Sequence, residues 1–163
     1  MTLQQKMLAK QSKKGFTLVE LVVVIAILGI LAAIAIPAVI GIINSANESQ
    51  AKSDAASVDA ACKDYYAEVV AGTINTTHPG KVTSDTLPAA NAQASAKKTT
   101  ALACTVQGAL EYAGLTNLAG KVGDFVADTT NGGTIYANVD AGKPATASHT
   151  VGTSDTFTAL GYS

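Results

Sequence analysis

Residues 21–43, LVVVIAILGILAAIAIPAVIGII, hold no polar side chain, so the segment has no polar face to turn to water. A run hydrophobic all round predicts a helix that is buried on every side or that crosses a bilayer, which takes about 20 apolar residues. Gly29 and Pro37 lie inside it. Glycine loosens a helix interior and proline removes a backbone bond, so the stretch between them is expected to be a weak point. After Ile43 the pattern changes with no turn signal. Ala51, Ala55, Val58, Cys62, Tyr65 and Val69 step by four and three along one helical face, with Glu48, Lys52, Asp59, Lys63 and Glu68 largely off it. One helix is therefore expected from about Thr17 to Val70, greasy in its first half and amphipathic in its second, with Gly72 just past its end.

The rest of the chain reads as a head for that helix. Residues 73–98 hold His78-Pro79-Gly80 and Pro88 among Thr, Ser, Asn and Ala, and predict a loop. Thr99 or Thr100 is expected to cap a second helix with Leu102, Val106, Ala109, Leu110 and Ala113 as its buried stripe, ended by Gly114. A short turn is expected over Leu115–Leu118. Val122–Ala127, Thr134–Val139, Ser148–Val151 and Thr156–Leu160 have strand composition, with Asn131-Gly132-Gly133 as a hairpin turn between the first two. Ile135, Ala137 and Val139 share one face, which should pack on the amphipathic half of the helix. The fold class is α+β: a long N-terminal helix against a small antiparallel sheet of three or four strands.

Charge orients this arrangement. The first 14 residues carry Lys6, Lys10, Lys13 and Lys14 and no acid, whereas seven lysines and twelve acids follow. A basic segment ahead of an apolar helix marks the cytoplasmic side, which places the head outside. A mildly acidic head without arginine argues against nucleic acid as its main ligand. Glu20 is the one charge in residues 16–47. An ionisable group at the edge of such a segment is costly alone and calls for a partner.

The residues Lys13-Lys14-Gly15-Phe16-Thr17-Leu18-Val19-Glu20, followed by the apolar run, resemble the type III signal of type IV pilin precursors. The resemblance covers roughly residues 13–60. It implies a leader, 1–15, removed by a prepilin peptidase between Gly15 and Phe16; the same enzyme would N-methylate Phe16. It implies a transmembrane and assembly helix over 16–43, the amphipathic half of that helix over 44–71, and a globular head over 72–163. Gly29 and Pro37 correspond to the family's helix-breaking positions, between which helical structure is lost as subunits pack. The implied partners are further copies in a filament, the peptidase and methyltransferase, the inner membrane before assembly, and an ATPase-driven assembly platform. An α-amine freed on Phe16 has a reference pKa of about 7.7–8 and stays largely charged at neutral pH. Glu20 of one copy can then pair with the Phe16 amine of another, which favours one axial register. The implied function is an extracellular filament serving adhesion, motility or DNA uptake. A pseudopilin of a secretion or competence system has the same helix, and a single-span anchored binding protein or enzyme is the alternative of another class.

Other constellations are weaker. A Cys62–Cys104 bridge would staple the second helix to the spine and close a 41-residue loop, worth about 3–4 kcal/mol in the chain-entropy model. Two buried free thiols are the alternative, and the family commonly places its disulfide nearer the C-terminus. His78 and His149 are far apart and read as surface residues. Asp124, Asp128 and Asp140 flank strand ends, where turns favour aspartate more often than calcium does. Asn47-Glu48-Ser49 and Asn75-Thr76-Thr77 match the glycosylation pattern. No nucleophile–base pairing, phosphate loop or metal triad appears, so no enzyme activity, cofactor or metal is expected.

Overall fold

The computed structural model describes residues 15–76, 82–130, 132–139 and 148–163. Helix α1 (Leu18–Ala71) is followed by α2 (Ala94–Ala103), α3 (Val106–Ala113), a 3-10 segment (Thr116–Asp124), β1 (Phe125–Asp128), β2 (Thr134–Ala137) and β3 (Ser148–Thr150). The chain divides into a unit ending at Ser45 and a unit Ala46–Ser163. In the first, every described residue is exposed. The second builds a core of its own.

The face read from the sequence does bury. Val58, Cys62, Tyr65 and Val69 have no exposed surface, Ala55 is buried, and Ala51 packs at the margin of the same core. At the end of α1 the chain turns through Gly72 with φ +80, and its N–H and that of Thr73 both return to the Glu68 carbonyl at 3.0 Å. That left-handed turn satisfies carbonyls that a helix end leaves open. Asn75 Nδ2 donates to the Gly72 carbonyl at 3.0 Å and seals the turn.

The second helix departs from expectation. It is two helices broken at Cys104 and Thr105, both in extended backbone. The first begins at Ala94, so the loop is shorter than 73–98, and Thr99 and Thr100 lie inside it, their hydroxyls bonded back to the Ser95 and Ala96 carbonyls. Thr105 is the cap of α3, its Oγ1 accepting from the Gly108 N–H at 3.2 Å. The break holds because tertiary partners replace the lost helical bonds. The Asp85 carboxylate accepts from the Thr105 N–H at 3.0 Å and the Thr105 hydroxyl at 2.7 Å, and the Cys104 carbonyl accepts from the Phe157 N–H at 3.0 Å. Gly108 leaves room for that carboxylate, which a Cβ would strike.

The sheet has three antiparallel strands in the order β2-β1-β3, with Asp128 opposite Thr134 and Val126 opposite Thr150. Gly132 and Gly133 turn the β1–β2 hairpin at positive φ, while Asn131 lies outside the described residues. The first strand begins only at Phe125, because 116–124 wind as a 3-10 helix that buries Leu118 and Val122. Ile135 and Ala137 bury as expected, but Val139 lies past the end of β2 and is 56% exposed. Thr156–Leu160 is a series of turns, with one bridge from Thr156 to Thr105. Its backbone is satisfied locally, and it still delivers Phe157, Leu160 and Tyr162 to an aromatic cluster with Tyr65 and Tyr66.

Carboxylates fasten these elements to one another. Asp54, buried on α1, meets Lys121 Nζ at 2.7 Å and Gln50 Nε2 at 2.7 Å. Asp59 meets Lys63 at 2.8 Å and accepts the Ile135 N–H at 2.9 Å, which occupies an amide on edge strand β2. Glu111 accepts from the Thr83 N–H at 2.6 Å, the Thr83 hydroxyl at 3.1 Å and the Ser84 N–H at 3.2 Å. The Lys121 hydrogen bond holds the Asp54 carboxyl below its usual range, and the Thr83 amide does the same for Glu111. A carboxyl depressed in the folded state contributes stability above its unfolded pKa and loses it as pH falls through the folded one. Urea unfolding should therefore show full stability above about pH 5 and a decline below about pH 4. Asp54→Asn with Glu111→Gln should flatten that decline; an unchanged acid limb would contradict the assignment.

Candidate functional site: the start of the long helix

Gly15, Phe16 and Thr17 precede α1 in non-helical, exposed backbone, and Phe16 keeps 84% of its surface. The scissile bond implied by the resemblance, Gly15–Phe16, thus lies outside the helix. The helix begins where Thr17 caps it. Glu20 Oε2 accepts from the Thr17 N–H at 3.0 Å and from the Thr17 hydroxyl at 2.7 Å, while Thr17 Oγ1 accepts from the Glu20 N–H at 3.3 Å. This reciprocal pair is a capping box, which occupies donors that a helix start leaves open. A carboxylate in the first turn also faces the positive end of the helix dipole.

Glu20 therefore has a partner in its own chain, which a search for a cation overlooks. The signal is present as Thr17-Leu18-Val19-Glu20, the T-x-x-E spacing ahead of an apolar run. Both bonds end on Oε2, and among the described residues Oε1 accepts none. One oxygen is committed to the cap and the other is open to a donor from outside the molecule.

The helix behind this cap is bare. Ile30, Ile34 and Ile42 are 65%, 72% and 68% exposed, and the other large apolar residues from Leu18 to Ile43 are exposed with them. A single soluble domain rarely shows a contiguous apolar surface above a few hundred Å². The segment is long and apolar enough to cross a membrane. In the single chain α1 runs unbroken through Gly29 and Pro37. Pro37 lacks an N–H, so the carbonyl four residues earlier, Ala33, has no helical partner there. A Cβ on Gly29 would meet nothing within 4 Å, so its own chain does not require glycine at that place.

The remaining candidates resolve as structural. Cys62 and Cys104 are free, buried thiols, so the bridge weighed from the sequence is not formed. They face different neighbours. Cys104 donates to the Thr100 carbonyl at 3.3 Å and stands beside Tyr65 and Asp85, whereas Cys62 lies near the Tyr162 hydroxyl. Burial pushes both thiols up to about 12. His149 Nε2 lies 2.7 Å from Asp155 Oδ2, which also accepts the Gly152 N–H at 2.7 Å, so this histidine ties β3 to the next turn. Asp128 accepts from the N–H and hydroxyl of Thr130 in its own turn, and no metal-ligating cluster exists among the described residues. His78 and Asp140 lie outside them. Asn47 is exposed on α1, whereas Asn75 is buried in the Gly72 turn and out of reach of a modifying enzyme.

Residues 10–36 match the family model described as the prokaryotic N-terminal methylation motif. Comparisons with curated proteins and with solved structures return no match. The matched segment contains Gly15, Phe16, the capping box, Gly29 and most of the bare helix. The chain carries the N-terminal signal of a type IV pilin-like prepilin, and the motif points to a structural protein rather than an enzyme. The pilin and pseudopilin precursors both fall within this description.

Thr17→Ala should remove about 1 kcal/mol from the helix start. In micelles, the amides of Leu18, Val19 and Glu20 should then exchange with solvent several-fold faster, and Thr17→Ser should restore the wild-type rate. Unchanged exchange in Thr17→Ala would show that the cap does not hold this end.

Proposed function

We propose that the chain is the subunit of a type IV pilus. It waits in the inner membrane as a single-pass precursor with its head outside, and it polymerises through α1 into an extracellular filament. The observation that carries this reading is the methylation motif at residues 10–36 joined to a helix whose apolar half is exposed at every described residue. Lipid covers that half in the precursor, and the same half of other copies covers it in the filament. Transfer from one to the other exchanges apolar contacts for apolar contacts, so the hydrophobic effect alone does not decide it. Direction comes from the assembly platform, and register comes from charge.

The order of events follows from the helix start. A prepilin peptidase cuts Gly15–Phe16 in exposed, non-helical backbone and methylates the new amine, which keeps its charge. The capping box orients Glu20 through Oε2 and presents Oε1 to the Phe16 amine of a neighbouring copy. Two charges that are costly alone in an apolar interior are far less so together, and their pairing sets how far one copy sits along the filament relative to the next. The uncommitted Ala33 carbonyl makes the stretch before Pro37 the place where α1 yields as copies pack. Residues 1–15, 16–43, 44–71 and 72–163 then serve as leader, assembly helix, head-bearing half of the helix and head.

Shearing cells and analysing the released filaments tests this. The expected result is filaments built of this chain with N-methyl-phenylalanine, from Phe16, at the N-terminus. Filaments absent from the surface but methyl-Phe16 present in the envelope would favour a pseudopilin. An unprocessed N-terminus would sink both and leave a simple anchored protein. Glu20→Gln keeps a side chain that can cap but removes the charge; it should block ordered assembly, and normal piliation by that variant would refute the charge pairing.

A further inference from the structure

One amphipathic pattern is split between α2 and α3. Leu102, Val106, Ala109, Leu110 and Ala113 would share a face if the helix ran on, yet Cys104 and Thr105 are extended. A continuous helix would send the N–H groups of Thr105, Val106, Gln107 and Gly108 to the carbonyls four residues earlier. Each of those donors has another partner. Thr105 N–H reaches Asp85 Oδ2 at 3.0 Å, and Gly108 N–H reaches Thr105 Oγ1 at 3.2 Å. Val106 N–H reaches the Asp155 carbonyl at 3.0 Å, and Gln107 N–H reaches the Thr153 carbonyl at 2.9 Å. Two of the carbonyls are taken by the same stretch of chain. Leu102 accepts from the Thr158 N–H at 3.1 Å and from its hydroxyl at 2.9 Å, and Cys104 accepts from the Phe157 N–H at 3.0 Å. Residues 153–158 thus stand in for a turn of helix, bond for bond.

The four helical donors are bonded in either arrangement, so side chains decide between the two. The broken form gains the Asp85 contact with the Thr105 N–H and hydroxyl, and it buries Phe157 and Leu160 completely. Two features oppose it. Seating the same stretch buries the Tyr162 hydroxyl with no partner among the described residues, which costs free energy. The continuous helix keeps the apolar stripe on one face and adds an unbroken turn. Two packings of one sequence in which the same donors change partners make a bistable element.

We propose that residues 153–162 are a detachable strap. Seated, the strap splits the helix at Cys104 and Thr105; released, it lets residues 94–113 join as one helix. The coupling runs both ways. Whatever draws the strap off straightens the helix, and whatever straightens the helix expels the strap.

Amide exchange of the full chain in micelles tests this. When the strap leaves and the helix joins, Phe157 and Thr158 lose their acceptors. Val106 and Gln107 instead pass to the Leu102 and Ala103 carbonyls and stay protected. After correction for intrinsic rates, Phe157 and Thr158 should exchange at least about tenfold faster than Val106 and Gln107. Equal rates for the four would overturn the inference, because a strap that leaves without joining the helix exposes them all. Gly108→Ala separates joining from fraying of the strap alone. Its methyl strikes the Asp85 carboxylate in the broken form, whereas alanine is the better residue in a continuous helix. In this variant Phe157 and Thr158 should exchange several-fold faster still, and the Cα chemical shifts of Cys104 and Thr105 should move to helical values. Faster exchange with those two residues still extended would overturn the inference, as would unchanged exchange and shifts. The wild-type rates decide alone if that variant does not fold.

Discussion

The apolar half of α1 cannot stay uncovered in water, and every described residue of it is exposed. From Leu18 to Ile43 every side chain is exposed, whereas Ala46–Ser163 closes a core in which Val58, Tyr65, Leu110, Phe125, Phe157 and Leu160 are buried. One unit has a core of its own and the other, among the described residues, has none. For the proposed filament subunit, this arrangement would let the chain stay folded on both sides of a transfer from lipid to polymer. The head has its own buried core, and an apolar helix accepts one apolar neighbour as readily as another. What apolar contact cannot supply is register, because a smooth greasy cylinder slides. Glu20 is the single charge on that cylinder, and the cap gives its carboxylate a fixed direction.

In the head, polar anchors do the positioning that a small core leaves undone. Asp54 and Asp59 reach from α1 to the 3-10 segment and to β2, and Asp85 and Glu111 bind residues 83–85 to α3. Each carboxylate serves backbone or side-chain donors that would otherwise be left open near the core, so each removes a cost as it sets a geometry. The edge of β2 shows the principle: an amide that could recruit another strand is taken by Asp59.

Periodicity was enough to read α1 and its buried face, since both are properties of consecutive residues. It was also enough to place the hairpin, where the glycine pair permits positive φ at Gly132 and Gly133. It failed wherever a distant residue supplied the missing bond. The stripe Leu102, Val106, Ala109, Leu110 and Ala113 reads as one helix, but Asp85 and Phe157 make a break at Cys104 and Thr105 stable. Thr156–Leu160 has strand composition, yet among the described residues it makes only the single bridge from Thr156 to Thr105, and it folds into turns. At the candidate site, Gly15, Phe16 and Glu20 were legible as a motif. The cap was legible too, but a carboxylate in an apolar setting draws attention to absent cations and away from a threonine three residues before it.

In the proposed filament, other copies cover the bare helix and Glu20 sets their register. Electron cryo-microscopy of sheared filaments would resolve both features at once. The expected result is apolar halves of α1 packed together at the filament axis, each Glu20 carboxylate within ion-pair distance of the Phe16 amine of another copy. Filaments whose apolar halves lie apart, or in which Glu20 meets only its own Thr17, would contradict it.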